Sequence, residues 1–179
     1  MPDIEVEVRS FITKEKYQEL IEYFRIHGKF VIEDYQETFY FDSPHDLRIQ
    51  NNNFFSKIWL KKGKIHDEFR EEIELRFPKE DFSKLEKLFN IIGFKIKIKW
   101  FRTRHEFDWQ GIKVCLDYTK GYGYIIELEK MANENDKAAV LETLKSRMHE
   151  LSIPITSREE YDRKFGNYEK NWRELTGEC

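Results

Sequence analysis

Several strand-length stretches of this chain set apolar residues on one face and charges of both signs on the other. Near the start, Ile4, Val6 and Val8 alternate with Glu5, Glu7 and Arg9. In mid-chain, Arg70, Glu72, Glu74 and Arg76 alternate with Glu71, Ile73, Leu75 and Phe77, and later Ile126 and Leu128 alternate with Glu127 and Glu129. Residues two apart share a face of a strand, so each stretch gathers its charges on one surface. Few folds suit such a chain. Its apolar faces must be covered, and its charged faces either line an enclosed lumen or meet bulk water. A closed sheet would make a site for metal ions and a polyanion; an open one would make a solvated surface.

The 179 residues suffice for one ordinary domain, 1–179, with a sizeable core. Hydrophobic residues at 40% and aromatics at 16% exclude a disordered chain. Charged residues reach 36%, against roughly 25% in an average domain. Yet 31 Lys and Arg nearly balance 34 Asp and Glu, for a formal net charge of -3. A nucleic-acid binder carries a basic excess, so no nucleic-acid partner is expected and the surplus charge must be arranged locally. Cys115 and Cys179 are too few for a disulfide framework, in keeping with a reducing compartment. Asp3, Glu5 and Glu7 do not read as a signal peptide, and no run of about 18 apolar residues offers a membrane span. The expectation is a cytoplasmic protein with no membrane partner, monomeric or homodimeric.

Strands and helices alternate along the chain. Thr13 predicts a helix N-cap, and Tyr17, Leu20, Ile21 and Phe24 form an apolar stripe that Gly28 ends. Strands follow over 33–42, 46–50 and 55–61, with Asn51 to Asn53 as a turn and a polar turn over 62–67 before the strand at 70–77. Pro78 opens a helix whose stripe is Phe82, Leu85, Leu88, Phe89 and Ile92, closed by Gly93. The strand at 95–109 holds a conflict of phase: Ile96 and Ile98 are in step with Arg102 and Arg104, which a bulge near Trp100 would resolve. Strands at 112–118 and 124–129 flank Gly121 and Gly123, which read as a hairpin turn rather than a phosphate cradle. The segment from about 134 to 176 is helical, with a break at Pro154. The early helices need an apolar surface, and only the uncharged strand faces supply one.

If the sheet closes, the inward acids are Glu5, Glu7, Glu72, Glu74, Asp117, Glu127 and Glu129. The inward bases are Arg9, Arg48, Lys57, Lys61, Arg70, Arg76, Arg102 and Arg104. Two carboxylates about 4 Å apart repel by about 4 kcal/mol at an effective dielectric near 20, so converging Glu pairs require cations. Oxygen ligands without a His or Cys cluster favour Mg²⁺ or Mn²⁺ over zinc. The bases, once a metal satisfies the acids, complement an extended phosphate chain. Acids for metal and bases for phosphates are the equipment of phosphoryl chemistry. Each piece alone has a plainer reading, since one Glu-x-Glu on an antiparallel strand is commonly a solvated face and the Lys95 to Lys99 lysines suit a protected edge. The histidines (His27, His45, His66, His105, His149) lack ligand spacing and read as surface residues. Cys115 has lumen phase but reads as a passive thiol. Tyr161, Phe165, Tyr168, Trp172 and Leu175 predict a helix that packs on the sheet, its place relative to a tunnel mouth left open.

The ordered series of motifs resembles the CYTH superfamily, the triphosphate tunnel metalloenzymes. Glu5-Val6-Glu7-Val8-Arg9 is similar to that family's Glu-x-Glu-x-Lys signature, with Arg in place of Lys. Phe39-Tyr40-Phe41-Asp42, Leu47-Arg48-Ile49, Trp59-Leu60-Lys61-Lys62-Gly63, Arg70-x-Glu72-x-Glu74, Arg102-x-Arg104 and Leu116-Asp117 follow in family order. Gly121 to Glu129 resembles its closing Gly-x-Phe-x-Glu-x-Glu pattern, so the match covers about 3–130. The resemblance implies an α+β fold, an eight-stranded antiparallel closed barrel with helices outside, that binds a triphosphate with Mg²⁺ or Mn²⁺. It makes Glu5, Glu7, Asp117, Glu127 and Glu129 metal ligands. Arg9, Arg48, Lys57, Lys61, Arg70, Arg76, Arg102 and Arg104 become phosphate binders, and Glu72 and Glu74 further lumen residues. Glu127, Lys61 and Tyr40 become the catalytic set. The implied reaction is hydrolysis of the terminal phosphate of inorganic triphosphate, thiamine triphosphate or a nucleotide. The alternatives are a class IV adenylyl cyclase, a binding module, or a plain α+β domain. Bacterial class IV cyclases share a His-Phe pair just before the Glu-x-Glu strand; Met1 to Ile4 contain none, which favours the triphosphatase.

Overall fold

A computed structural model describes residues 4–62 and 72–178, and the backbone of 69–70. The expected turn at 63–67, with His66, and Glu71 and Cys179 lie outside the described residues. The chain runs β1 (Ile4–Ile12), α1 (Lys14–His27), β2 (Lys29–Phe41), β3 (Asp46–Asn51), β4 (Phe55–Lys61), β5 (Phe69–Arg70), β6 (Glu72–Pro78), α2 (Phe82–Ile91), β7 (Ile96–Trp109), β8 (Ile112–Thr119), β9 (Gly123–Ala132), α3 (Lys137–Glu150) and α4 (Arg158–Thr176). Thr13 caps α1 as its sequence position predicts, accepting from the Lys16 backbone N–H. Strand β2 begins directly after Gly28, four residues earlier than the β-branched and aromatic run suggested, because Lys29 and Phe30 pair with Asp108 and Phe107.

All strand pairs are antiparallel, in the order β5-β1-β9-β8-β7-β2-β3-β4-β6. The two edge strands of that ribbon are sequence neighbours. Arg70 pairs with Glu5 on one edge and Glu72 with Lys61 on the other, and two residues of chain span at most about 7 Å. Side chains meet across the same seam: Lys61 Nζ on β4 lies 3.1 Å from Glu5 Oε1 on β1. The sheet is therefore closed, and β5 and β6 share one strand position, which reconciles nine stretches with the eight expected.

Outside the barrel lie two apolar layers. Val6, Val8, Val114, Leu116, Ile126 and Leu128 pack under α1 and α3 with Leu20, Phe24, Leu144 and Met148. Phe39, Phe41, Leu47 and Ile49 pack under α2 through Leu85 and Phe89. The α2 stripe is narrower than its spacing suggested, for Leu88 and Ile92 stay at least half exposed. Ile73 and Leu75 on the outer face of β6 are likewise about half exposed.

The phase conflict in β7 resolves in two places, neither at Trp100. Tyr40 pairs with Ile98 and Phe41 with Ile96, so the extra residue is Lys97. That bulge turns Ile96 to the outer layer, while Ile98 keeps the lumen phase and is buried with Tyr40, Trp100, Tyr168 and Trp172. Helix α4 supplies the cover. Tyr168 Oη donates to Lys99 O at 2.9 Å and Trp172 Nε1 to Lys97 O at 3.0 Å. Among the described residues no helix is long and apolar enough to cross a membrane.

Candidate active site

The barrel encloses a cavity of about 370 Å³. Every charged residue that the strand alternation assigned to a lumen lines it, apart from Arg70, whose side chain lies outside the described residues. Nine acids and eight bases line it among the described residues, so the lumen carries almost no net charge.

Strands β1, β9 and β8 form an acidic wall. Pairing sets Glu7 directly opposite Glu129 and Arg9 opposite Glu127, and like charges opposed in this way repel. Local cations answer them: Arg9 Nη1 lies 3.5 Å from Glu7 Oε1, and Lys113 Nζ 3.1 Å from Glu129 Oε2. On β7, Arg104 forks onto Asp117, Nε to Oδ1 at 2.8 Å and Nη2 to Oδ2 at 2.7 Å, and reaches Glu127 Oε1 at 3.3 Å. Arg102 Nη1 meets Asp117 Oδ2 at 3.2 Å. Burial alone would raise the Glu127 carboxyl, but Arg104, Arg9, Arg102 and Lys61 outweigh it and hold it well below the usual carboxylate range. Burial wins at Glu5, whose carboxyl is raised, with Glu129 and Glu72 adding to it and Lys61 opposing. Among the described residues no three acidic, His or Cys groups converge as a metal cage; the carboxylates rest on these cations instead.

Strands β3 and β4 carry the second wall. Arg48 Nε donates to Asp46 Oδ1 at 2.6 Å, and Nη2 meets Asp46 Oδ2. Its guanidinium lies between two rings, 4.3 Å from the centre of Tyr40 and 4.8 Å from that of Trp59. The Lys57 and Lys61 ammonium groups lie 4.0 and 4.8 Å from the same Trp59 ring. Lys57 Nζ pairs with Glu74 Oε2 at 2.7 Å, and Lys61 Nζ with Glu72 Oε2 at 3.1 Å. Burial lowers the Lys57 ammonium, more than its pairing with Glu74 raises it. Arg76 lines the cavity but is 66% exposed and pairs with Glu74, so it stands at the rim. Tyr40 and Lys61 both line the lumen, the first under Arg48 and the second among carboxylates.

The cavity also holds residues that the alternation did not single out. Lys113 and Glu106 share the phase of Asp117 and Arg104, so period two could have found them. Gln36 accepts from Arg102 Nε at 2.8 Å and donates to Asp34 at 3.0 Å. Tyr161 and Phe165 of α4 line the cavity beside Tyr40, Trp100 and Tyr122, so α4 covers the lumen on that side. Arg9 lies 5.2 Å over the Tyr161 ring. Two expectations elsewhere are settled. Cys115 is fully buried and burial pushes its thiol up, which suits an inert group. His105 is not a surface residue: it is half-buried on the outer face of β7, where its Nδ1 lies 3.0 Å from Tyr17 Oη.

A family model for the CYTH domain matches residues 3–165. A protein of Methanocaldococcus jannaschii bearing the name "Putative adenylate cyclase MJ0240" is 30% identical over 164 residues, 84% of this chain and 90% of that one. Among solved structures, the PH1819 protein of Pyrococcus horikoshii OT3 is similar with a TM-score of 0.75 and 25% identity over 86% of this chain and 93% of that one. HpAC1 from Hippeastrum, described as an adenylyl cyclase candidate with a dominant triphosphatase activity, has a TM-score of 0.62 and 19% identity. That match covers 89% of this chain and 94% of that one.

Proposed function

The chain belongs to the CYTH domain family, and on that premise we propose that it is a divalent-metal-dependent triphosphatase acting on the terminal phosphate of a triphosphate held in the barrel. The observation that carries this reading is the opposition of Glu7 and Glu129 on the acidic wall of an enclosed lumen that is nearly neutral overall. A triphosphate alone would load strong negative charge onto such a lumen; cations on its carboxylates offset that charge. The donor set fits a hard ion, being all oxygen, with Glu5, Glu7, Glu127 and Glu129 on two paired strands and Asp117 on the next. These residues would hold Mg²⁺ or Mn²⁺, which when bound supplies charge neutralisation at the phosphates and a more acidic water.

The chain's own residues do the rest. Arg9, Arg48, Lys57, Lys61 and Arg102 bind the phosphate oxygens, with Arg76 at the entrance. Arg104 is fixed by Asp117 through Nε and Nη2, which leaves Nη1 for a phosphate oxygen in a set orientation. Lys61 and Tyr40 orient the attacking water toward the terminal phosphorus, and Glu127, kept ionised by its arginines, remains an acceptor throughout. Cover by α4 and the walls keeps bulk water from the reacting phosphates, which strengthens each of these contacts.

A panel of inorganic triphosphate, thiamine triphosphate and ATP, each with Mg²⁺ and with Mn²⁺, tests this reading. The expected result is metal-dependent phosphate release, lowered at least about 100-fold in kcat by Glu127→Gln. The name of the archaeal relative favours one second reading, a cyclase. Cyclic AMP and pyrophosphate from ATP would overturn the hydrolase in its favour, and binding without turnover would leave a binding module.

A further inference from the structure

Three cations of the β3–β4 wall converge on one aromatic ring. Trp59 stands on the lumen face of β4 between Lys57 and Lys61, and its direct partner across the strand pair is Arg48. Lys57 Nζ, Lys61 Nζ and Arg48 Cζ lie 4.0, 4.8 and 4.8 Å from the ring centre. No two of these charges are therefore more than about 10 Å apart, a separation at which like charges inside a protein still repel appreciably. Their carboxylate partners are dispersed: Glu74 and Glu72 on β6, Glu5 on β1, and Asp46 at the start of Arg48's own β3. Left to those partners alone, the cations would be drawn apart toward them. The electron-rich indole face is the one element common to all three.

We propose that Trp59 is a positioning residue, whose ring gathers Lys57, Lys61 and Arg48 into a preassembled cradle for a chain of phosphates. This rests on the triphosphate reading above, and it assigns to an uncharged side chain part of the affinity that a list of bases would credit to the bases alone. The ring lowers the cost of holding three cations together before the ligand arrives, so less of the binding free energy is spent on assembling them. A merely space-filling Trp59 would be replaced by another large apolar side chain without loss of affinity. A ring acting through its face is replaced by Phe but not by Leu. The indole N–H is buried without a hydrogen-bond partner among the described residues, so Trp59→Phe also separates the face from the N–H.

Calorimetry of imidotriphosphate, whose P–N–P bridges resist hydrolysis, with the full chain at fixed Mg²⁺ tests the consequence. Trp59→Leu is expected to weaken binding about tenfold or more, and Trp59→Phe by no more than about threefold. In turnover KM rises, and kcat falls as well, because Lys61 also orients the attacking water; Trp59→Phe restores both. Unchanged affinity in Trp59→Leu overturns the proposal, as does a Phe variant as weak as the Leu variant. The arrangement itself is read without ligand and without mutation. Lysine side-chain NMR should find two sets of ε-methylene protons displaced upfield by a ring current, both lost in Trp59→Leu. Absence of such signals in the wild type overturns the proposal even if triphosphate binds. Shifted signals in a wild type that binds no triphosphate would instead remove the triphosphatase reading and leave the ring arrangement standing.

Discussion

On the β1–β9–β8 wall the cations are spent on carboxylates of their own neighbourhood: Arg104 on Asp117, Lys113 on Glu129 and Arg9 on Glu7. On the β3–β4 wall Arg48, Lys57 and Lys61 share a tryptophan ring; the acids of the two lysines reach in from other strands, whereas Arg48 forks onto Asp46 of its own strand. The coverings differ in the same sense. Two helices bury the outside of the acidic wall, and one short helix lies behind the other. A wall whose charges are paired locally and clamped from outside is a rigid frame. On the other wall the two lysines rest on a ring face and pair with partly exposed acids, so they can turn to a ligand without leaving a buried acid bare, while Arg48 stays with buried Asp46. The difference assigns the frame to the metal side of the reaction and the adaptable wall to the phosphates.

The largest effect on stability is expected where the frame is broken. Asp117→Asn halves the acceptors for the Arg104 fork and leaves that guanidinium, only 11% exposed, short of its counter-charge. Loss of one partner of a buried pair costs about 3 kcal/mol or more, which lowers a thermal midpoint by about 10 °C in a chain of this size. On the other wall the expected change is in affinity. Arg48→Lys keeps the charge but gives up the fork to Asp46 and the flat fit between Tyr40 and Trp59. The KM for triphosphate should rise about tenfold, with a smaller fall in melting than in Asp117→Asn because buried Asp46 keeps a counter-charge. Equal loss of stability in both variants would erase the distinction between the walls.

The cover can be loosened without touching either wall. Gly121 has φ +75, and a Cβ there would lie 2.7 Å from Leu175 Cβ and 2.9 Å from Leu175 O. Gly121→Ala must therefore both strain the β8–β9 turn and push on the end of α4. It should cost about 1–2 kcal/mol by thermal melting, with the Arg104 and Arg48 contacts intact. A neutral result would mean that α4 seats loosely.

Most of both walls was legible in the sequence because a strand's period of two shows directly which charges share a face: Glu5 with Glu7 and Arg9, and Glu127 with Glu129. Closure was not legible in that way. It depends on β5 and β6 dividing one strand position between partners from opposite ends of the ribbon, a long-range pairing that local alternation cannot carry. The bulge shows the same limit. The phase conflict in β7 was visible, but one pattern allowed two solutions, a bulge or a second cover. The protein uses both, a bulge at Lys97 and the burial of Ile98 under α4. Tyr161 and Phe165 reach the lumen only through the docking of α4, so their spacing marked a packing helix and nothing more.

The smallest predicted effect divides the acidic wall against itself. Glu127 is held below its ordinary value of 4.5, so it stabilises the fold above that pH, and the contribution is lost as pH falls below 4.5 toward its folded value. Glu5 is raised above 4.5, so its contribution has the opposite course: it is present below 4.5 and lost as pH rises through its folded value. At pH 7 Glu127→Gln should therefore melt below the wild type and Glu5→Gln at or above it. The Glu5 difference should shrink in melts repeated near pH 4, where that carboxyl approaches the neutral state that glutamine imitates. The Glu127 difference should largely persist there, because its folded carboxyl is still ionised. The contrast follows from position. Glu127 has Arg104 and Arg9 beside it, whereas Glu5, at the barrel seam, has Lys61 against two acids. Two variants that shift in the same direction at pH 7 would mean that the seam is as well compensated as the frame, and the acidic wall would then have no weak point at which an arriving cation is favoured.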